Sequence, residues 1–562
     1  MGHDLKSIYK IKMTNIWKNF PSDKLQKLIG ESQLKNISEI LPLINNEEFN
    51  ENQIYKKNTL ARIFEAFSGA DKLLKKKFRE DLYGSLNNDD KFRLLKVLDL
   101  NTSDISSGII KASSIPWKKS SETIKICDLL SISLDLLPYE IDEPPANILL
   151  EPQEKILGSF KQLKDYQFPV VAKSQEKLNI PRSRFIIQMP TGSGKTRTAM
   201  EIISNYINNS DDDCICVWLA HSSELLDQAY QCFLEVWGHI SKKKLEIHRV
   251  WGKNEMPKSL YKNSFILGGF QKMHSVFKNN PNAFNHFKDK TKLIIVDEAH
   301  RVLADTYKLV TLSLRGEDTK IIGLTATPGR SSKDLDENIS LSEFFFSKMV
   351  GIDCEGYNSP IHYLKHIKVL AEAHYEHIVT NINISLTPKQ KEHFSQFFDL
   401  PKDVLDSLSN NNIRNIEIIR KLQKECERKD AKIIFFACSI KHSKEICAFL
   451  TLLGIKAAHV DGSASSLNRK NIIEKFINGD LQVICNYELF STGFDAPKID
   501  TVFIARPTFS IVLYAQMIGR GLRGPEIGGS AKCKIIDVKD NISGFSNHDF
   551  VYTYFDEYFD NL

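Results

Sequence analysis

Two short stretches of the 562-residue chain carry the residue types that phosphate chemistry needs. The first is FIIQMPTGSGKT, residues 185–196. An apolar run from Phe185 to Gln188 predicts a buried strand, and a helix is expected to begin near Lys195. Between them, Gly192 and Gly194 flank Ser193 and follow Thr191. Glycine there lets backbone N–H groups turn inward around phosphate oxygens without a Cβ in the way. The start of the helix adds a favourable dipole. Lys195 supplies a point charge for the β- and γ-phosphates, and the Thr196 hydroxyl can ligate magnesium. Met189 stands where such loops usually have their first glycine. The second stretch is LIIVDEAH, residues 293–300. Four apolar residues running into two acids put Asp297 at the carboxyl edge of a parallel sheet, the edge where such sheets bind ligands. There Asp297 would hold magnesium through its water shell, and Glu298 would orient and deprotonate an attacking water. Together the stretches imply ATP as substrate and Mg2+ as its companion ion.

Both stretches need strands and helices to hold them, and the surrounding texture predicts these. Short apolar runs, FIIQM, CICVWLA, FILGGF, KLIIVDEAH and KIIGLTAT, alternate with helical segments from about residue 155. A second set, KIIFFACS, KAAHVDG, QVICNY, TVFIARP and CKIIDV, follows a mixed stretch. Alternation of this kind predicts two successive α/β units built on doubly wound parallel sheets. Ahead of them, Leu60, Ile63, Phe64 and Phe67 recur at helical spacing, as do Leu94, Leu95 and Leu98. Pro138, Pro144, Pro145 and Pro152 then break the pattern. The expected division is a helical domain at 1–145, a first lobe at 146–345, a linker and start of the second lobe at 346–428, and the second lobe at 429–562.

Read together, these blocks resemble the superfamily 2 helicases of the DEAH-box kind. The resemblance implies two tandem RecA-like lobes after the helical N-terminal domain. GLTATP, residues 323–328, resembles motif III, in which Thr325, Ala326 and Thr327, with His300, would couple the nucleotide to the nucleic-acid site. LKDYQ resembles the adenine-reading Q motif, with Gln167 on the base edge and Tyr166 beside it. STGFDAP resembles motif V, offering Gly493 and Asp495 to the nucleotide sugar and Thr492 to the strand. YAQMIGRGLRG resembles motif VI, in which Gln516 accompanies Arg520 and Arg523 as arginine fingers. His221 and Ser222, Gly269 and Gln271, and Ser439 fall in stretches resembling the nucleic-acid motifs Ia, Ib and IV. ARPTFSIVLYAQMIGRGLRG followed by CKIIDV looks most like the RadD branch, allied to type I restriction motors and XPB-like helicases. That branch implies DNA as the track. The chain departs from it in lacking a cysteine-rich zinc-ribbon tail and in carrying N-terminal helices without a counterpart there.

Composition sets wider bounds. A net charge of +5 permits a polyanionic partner without demanding one. Ten cysteines without a C-x-x-C pair point to free thiols in a reducing cytosol. Cys214 and Cys216 are expected on one strand face. MGHDLKSIYK has neither an apolar signal core nor, with Lys6, the myristoylation pattern, and no apolar stretch approaches membrane-spanning length. A cytoplasmic protein without membrane contact is expected. The lysine runs at 75–77 and 242–244 read as solvated faces. The sequence thus predicts an ATP-dependent DNA motor serving repair, recombination or defence against foreign DNA. An RNA helicase and a nucleotide-gated scaffold are the alternatives. The N-terminal helices are expected either to pack on the first lobe or to dock a protein partner.

Overall fold

The computed structural model describes residues 14–44, 51–100, 104–132, 134, 137, 145–152, 162–210, 213–260, 262–326, 335–397, 399–487, 498–508 and 510–543. Two sheets organise the chain. The first has the strand order β1-β4-β5-β3-β6-β7-β2-β8. Its strands are β1 (Asn147–Leu150), β2 (Arg184–Gln188), β3 (Ile215–Ala220), β4 (Leu245–Val250), β5 (Ser264–Gly269), β6 (Thr291–Asp297), β7 (Lys320–Thr325) and β8 (Met349–Gly351). Every pair is parallel except β1 with β4, which is antiparallel at the sheet edge. Central β3 is buried along its whole length, as its continuous apolar run requires in a sheet covered on both faces.

The second sheet is wholly parallel, in the order β11-β12-β10-β13-β14-β9. It comprises β9 (Glu372–Ser385), β10 (Ile433–Phe436), β11 (Ala457–His459), β12 (Val483–Asn486), β13 (Thr501–Ile504) and β14 (Lys532–Ser543). All the apolar runs read from sequence lie on strands. Four further strands carry no such run: β1, β4, β8 and β9. β4, LEIHRV, mixes charge with apolar residues, and β9 is a half-solvated edge strand rich in polar side chains. β8 extends the first sheet past residue 345, and β9 brings the intervening stretch into the second.

The N-terminal helices correct one expectation: they pack on the second lobe, not the first. The helix Lys57–Ser68 buries Leu60, Ala61, Ile63, Phe64 and Phe67. These join one core with Ile418, Leu422, Ile433, Phe435, Ile446 and Phe449 of the second lobe. Trp17 sits edge-on to Phe64 at 5.2 Å, tying the first helices into the same cluster. Polar ties follow the seam, with Arg62 donating to Thr451 O at 2.5 Å and Asn412 to Glu39 at 3.0 Å. Glu445 lies there almost fully buried, and its pKa is pushed up to about 7 by burial, with Lys441 and Asn36 opposing. Periodicity gave the helices' apolar faces but could not say which lobe would receive them.

Candidate active site

The phosphate loop leaves β2 beside β7. Met189 N donates to Thr325 O at 3.1 Å, so the residue after the strand is pinned to the motif III strand. Met189 is fully buried in the first-lobe core, and it is not among the residues with positive φ. A glycine is therefore not required at this position. Gly192 and Gly194 do adopt φ of +87° and +80°, the left-handed region that favours glycine. Ser193 is buried, with its hydroxyl on Pro190 O at 2.7 Å. The helix Lys195–Asn209 begins directly after the loop.

Lys195 reaches toward the two acids, its Nζ 3.9 Å from Asp297 Oδ1 and 3.6 Å from Glu298 Oε1. Asp297 ends β6, and Glu298 turns the chain in a left-handed conformation at φ +55°. A non-glycine residue there holds backbone strain of about 1–3 kcal/mol. The Glu298 N–H donates to Asp297 Oδ1 at 3.0 Å, which helps fix the turn. Burial raises Asp297 above the usual carboxylate range, with Lys195 opposing. Burial also works to raise Glu298, but Lys195, His300 and Arg301 outweigh it and hold the carboxyl well below that range. His300 Nδ1 lies 3.4 Å from Glu298 Oε2. A buried acid kept ionised among cations fits a group that must accept a proton from water. Thr196 and Asp297, a hydroxyl and a carboxylate beside a phosphate cradle, fit magnesium held partly through water.

The second lobe closes this cleft. Gly519 ends the helix Ile511–Ile518, and a Cβ placed on it would lie 2.3 Å from Thr191 Cγ2. Arg523 packs against Gly192, its Cγ 3.6 Å from where a Cβ would stand. Burial lowers both arginines to about 10, and the charge of Glu298 pulls Arg520 back up, so this arginine senses the first-lobe acid across the cleft. The motif VI loop is braced by the segment before β9: Ala371 N donates to Leu522 O at 2.9 Å, and Gly524 N to Val369 O at 2.8 Å. Lys164 Nζ meets Glu526 Oε2 at 3.2 Å as a further bridge between lobes. Gln516 is buried beside these residues.

Residues 160–330 match the family described as Type III restriction enzyme, res subunit, and residues 415–524 match the Helicase conserved C-terminal domain. The two matches fall in the two lobes, each including its half of the cleft. The chain is a superfamily 2 helicase. Its first lobe is the part that matches a restriction-enzyme family. A protein of Saccharomyces cerevisiae, provisionally named ATP-dependent helicase IRC3, is 28% identical over 371 residues, 64% of this chain and 49% of its own. The Type I restriction enzyme EcoAI endonuclease subunit of Escherichia coli is 24% identical over 423 residues, 70% of this chain and 48% of its own. This helicase thus spans about half the length of these relatives. Among solved structures, the ATP-dependent Type ISP restriction-modification enzyme LlaBIII bound to DNA shares the fold, with a TM-score of 0.50 at 18% identity. That likeness covers 71% of this chain and 29% of the other.

In this helicase the Q-motif residues serve the phosphate loop. Gln167 Nε2 donates to Thr198 Oγ1 at 2.8 Å and Gly194 O at 3.3 Å, while its Oε1 accepts from Lys164 N at 2.8 Å. Tyr166 OH donates to Ser193 O at 2.8 Å. Both side chains thus hold the phosphate loop. Burial and Arg301 lower the pKa of His221 to about 4, with Glu298 opposing. Ser222 and Ser439 cap the helices Ser223–Ile240 and Ile440–Leu452. Gly269 ends β5 and Gln271 is exposed on the helix Phe270–Asn279 that follows. All lie at or just beyond the carboxyl ends of β3, β5 and β10. Thr325 is buried at the end of β7, with Ala326 next to it. Thr327, Thr492, Gly493 and Asp495 lie outside the described residues. Arg301, one residue past the DEAH run, was missed; only its adjacency to the motif pointed to it.

Proposed function

We propose that this helicase hydrolyses ATP in the cleft between its lobes and uses the closure to move along or remodel DNA. The observation that carries the reading is the convergence of Lys195, Asp297 and Glu298 from one lobe with Arg520 and Arg523 from the other. Lys195 and the loop N–H groups would hold the β- and γ-phosphates. Thr196 and Asp297 would hold magnesium, whose charge would offset that gathering on the phosphates. Glu298, ionised and fixed by its strained turn, would orient water and take its proton. Arg520 and Arg523 would meet the γ-phosphate only when the lobes are together, so nucleotide state and lobe closure are linked.

His221, Ser222, Gly269, Gln271, Ser439 and Thr492 are proposed as the track for the strand, and Thr325, Thr327 and His300 as the link from track to nucleotide. DNA is preferred to RNA because the family match and the E. coli relative belong to restriction systems. Repair, recombination or defence against foreign DNA is the service proposed. No helix among the described residues is long and apolar enough to cross a membrane, and ten free cysteines support a cytoplasmic site. The deciding experiment is steady-state ATP hydrolysis by the purified chain, alone and with single-stranded, duplex or forked DNA, or RNA. Stimulation by DNA supports the reading, and stimulation by RNA alone overturns the choice of track. Turnover indifferent to every polymer would indicate the nucleotide-gated scaffold instead.

A further inference from the structure

The N-terminal domain touches the second lobe at one place that leads back to the first. Asp71 lies in the short turn Ala70–Leu74 of that domain. Its carboxylate accepts from Ser465 N at 3.0 Å, from Ser465 Oγ at 2.5 Å and from Asn468 Nδ2 at 3.0 Å. Ser465 is the N-cap of the helix Ser466–Asn478, its hydroxyl accepting in turn from Asn468 N at 3.2 Å. Asp71 therefore orients the cap and adds a negative charge where the helix dipole favours one.

One turn in, Arg469 reaches out of this helix across the cleft. It forms an ion pair with Glu224 in the first turn of the first-lobe helix Ser223–Ile240, directly after Ser222. Both side chains are largely covered, at 19% and 26% exposure, so the pair is better shielded than an ordinary surface bridge. Its guanidinium also donates to Ala464 O at 3.4 Å, the residue before the cap. The arginine is thereby tied to the same short stretch that Asp71 holds.

We propose that Asp71 is a positioning residue for lobe closure: by fixing the Ser465 cap it sets Arg469 against Glu224, so that the N-terminal domain tunes how firmly the lobes close on ATP. This deepens the proposed function and rests on it. A partner that pulled on the N-terminal domain would then act on nucleotide affinity without reaching the cleft.

The test is a double-mutant cycle on the full chain, read as affinity for a non-hydrolysable ATP analogue with magnesium and as KM and kcat for ATP. Asp71→Ala should weaken analogue binding and raise KM about fivefold, equivalent to about 1 kcal/mol. Asp71→Asn, which keeps the shape and one acceptor oxygen, should fall between. In a Glu224→Gln background, Asp71→Ala should add nothing, because the pair it positions is already broken. Equal losses in both backgrounds, or a lower melting temperature with unchanged affinity, would show that Asp71 only anchors its own domain and would overturn the proposal. Absence of ATP turnover in the wild type would refute the motor reading instead, while the analogue-binding cycle would still decide the role of Asp71.

Discussion

Replacing Gly519 with alanine should disable turnover while leaving both lobes folded. Its backbone is right-handed, at φ −58° and ψ −14°, so alanine meets no conformational penalty there. The two tightest contacts are across the cleft, with a lesser one to Ala515 O in the glycine's own helix. A Cβ would stand 2.3 Å from Thr191 Cγ2, 2.6 Å from Thr191 Cβ and 2.9 Å from Ala515 O. Inserting a methyl into a packed contact costs about 1–3 kcal/mol. Here the lobes can escape it by parting, which withdraws Arg520 and Arg523 from the phosphates. At 1.36 kcal/mol per tenfold, turnover should fall about 5- to 150-fold. Gly521→Ala is the control. Its Cβ would press on Cys533 Sγ at 2.2 Å and Val502 Cγ2 at 2.7 Å, both inside the second lobe. That variant should lose several degrees of melting temperature, whereas Gly519→Ala should melt like the wild type. Steady-state hydrolysis and a thermal melt on each separate the two effects. Wild-type turnover in Gly519→Ala would refute the claim that the lobes meet at Thr191 when the enzyme works.

Glu298→Gln should bind ATP normally and lose roughly a hundredfold or more in turnover, since it keeps the shape and removes the base; near-normal hydrolysis would discard that role. Arg523→Ala should cut turnover sharply without lowering the melting temperature, and unchanged turnover would mean that the second lobe does not complete the site. Glu445→Gln tests the N-terminal seam by pH. The folded carboxyl holds its proton to about pH 7, whereas an unfolded one releases it near 4.5, so stability contributed by the proton is present below 4.5 and drains away as pH rises to 7. The glutamine variant should therefore melt like the wild type at pH 4 and higher at pH 8, by up to about 3 kcal/mol; equal melting at both would show the carboxyl to be solvated.

Much of the fold was legible because a parallel sheet covered on both faces demands uninterrupted apolar strands, and β2, β3, β5, β6 and β7 supply them. The edge strands were not, since β9 needs apolar residues on one face only and β4 carries Glu246, His248 and Arg249. The phosphate loop and the acids were legible because their spacing is local. Met189 looked like a departure until its backbone proved ordinary and its side chain proved part of the core. What could not be read were relations between distant segments: Gln167 spanning to Thr198, Arg469 paired with Glu224, or Asp71 on Ser465. An amphipathic helix shows that it has a partner and not which one, and so the docking side of the N-terminal domain came out reversed.

That docking has a consequence during synthesis. Arg62 meets Thr451, a residue made 389 positions later. At roughly 5–20 residues per second, the side of the helix Lys57–Ser68 that meets the second lobe waits about 20–80 s on the ribosome for the surface it will cover. The first lobe emerges meanwhile with its sheet self-contained, from β1 to β8, and can fold. The N-terminal helices cannot finish until the helices at 412–426 and 440–452 arrive. Nascent or truncated chains ending before residue 412 would therefore present a finished lobe with a sticky, unfinished leader, the form of this protein that most needs a chaperone.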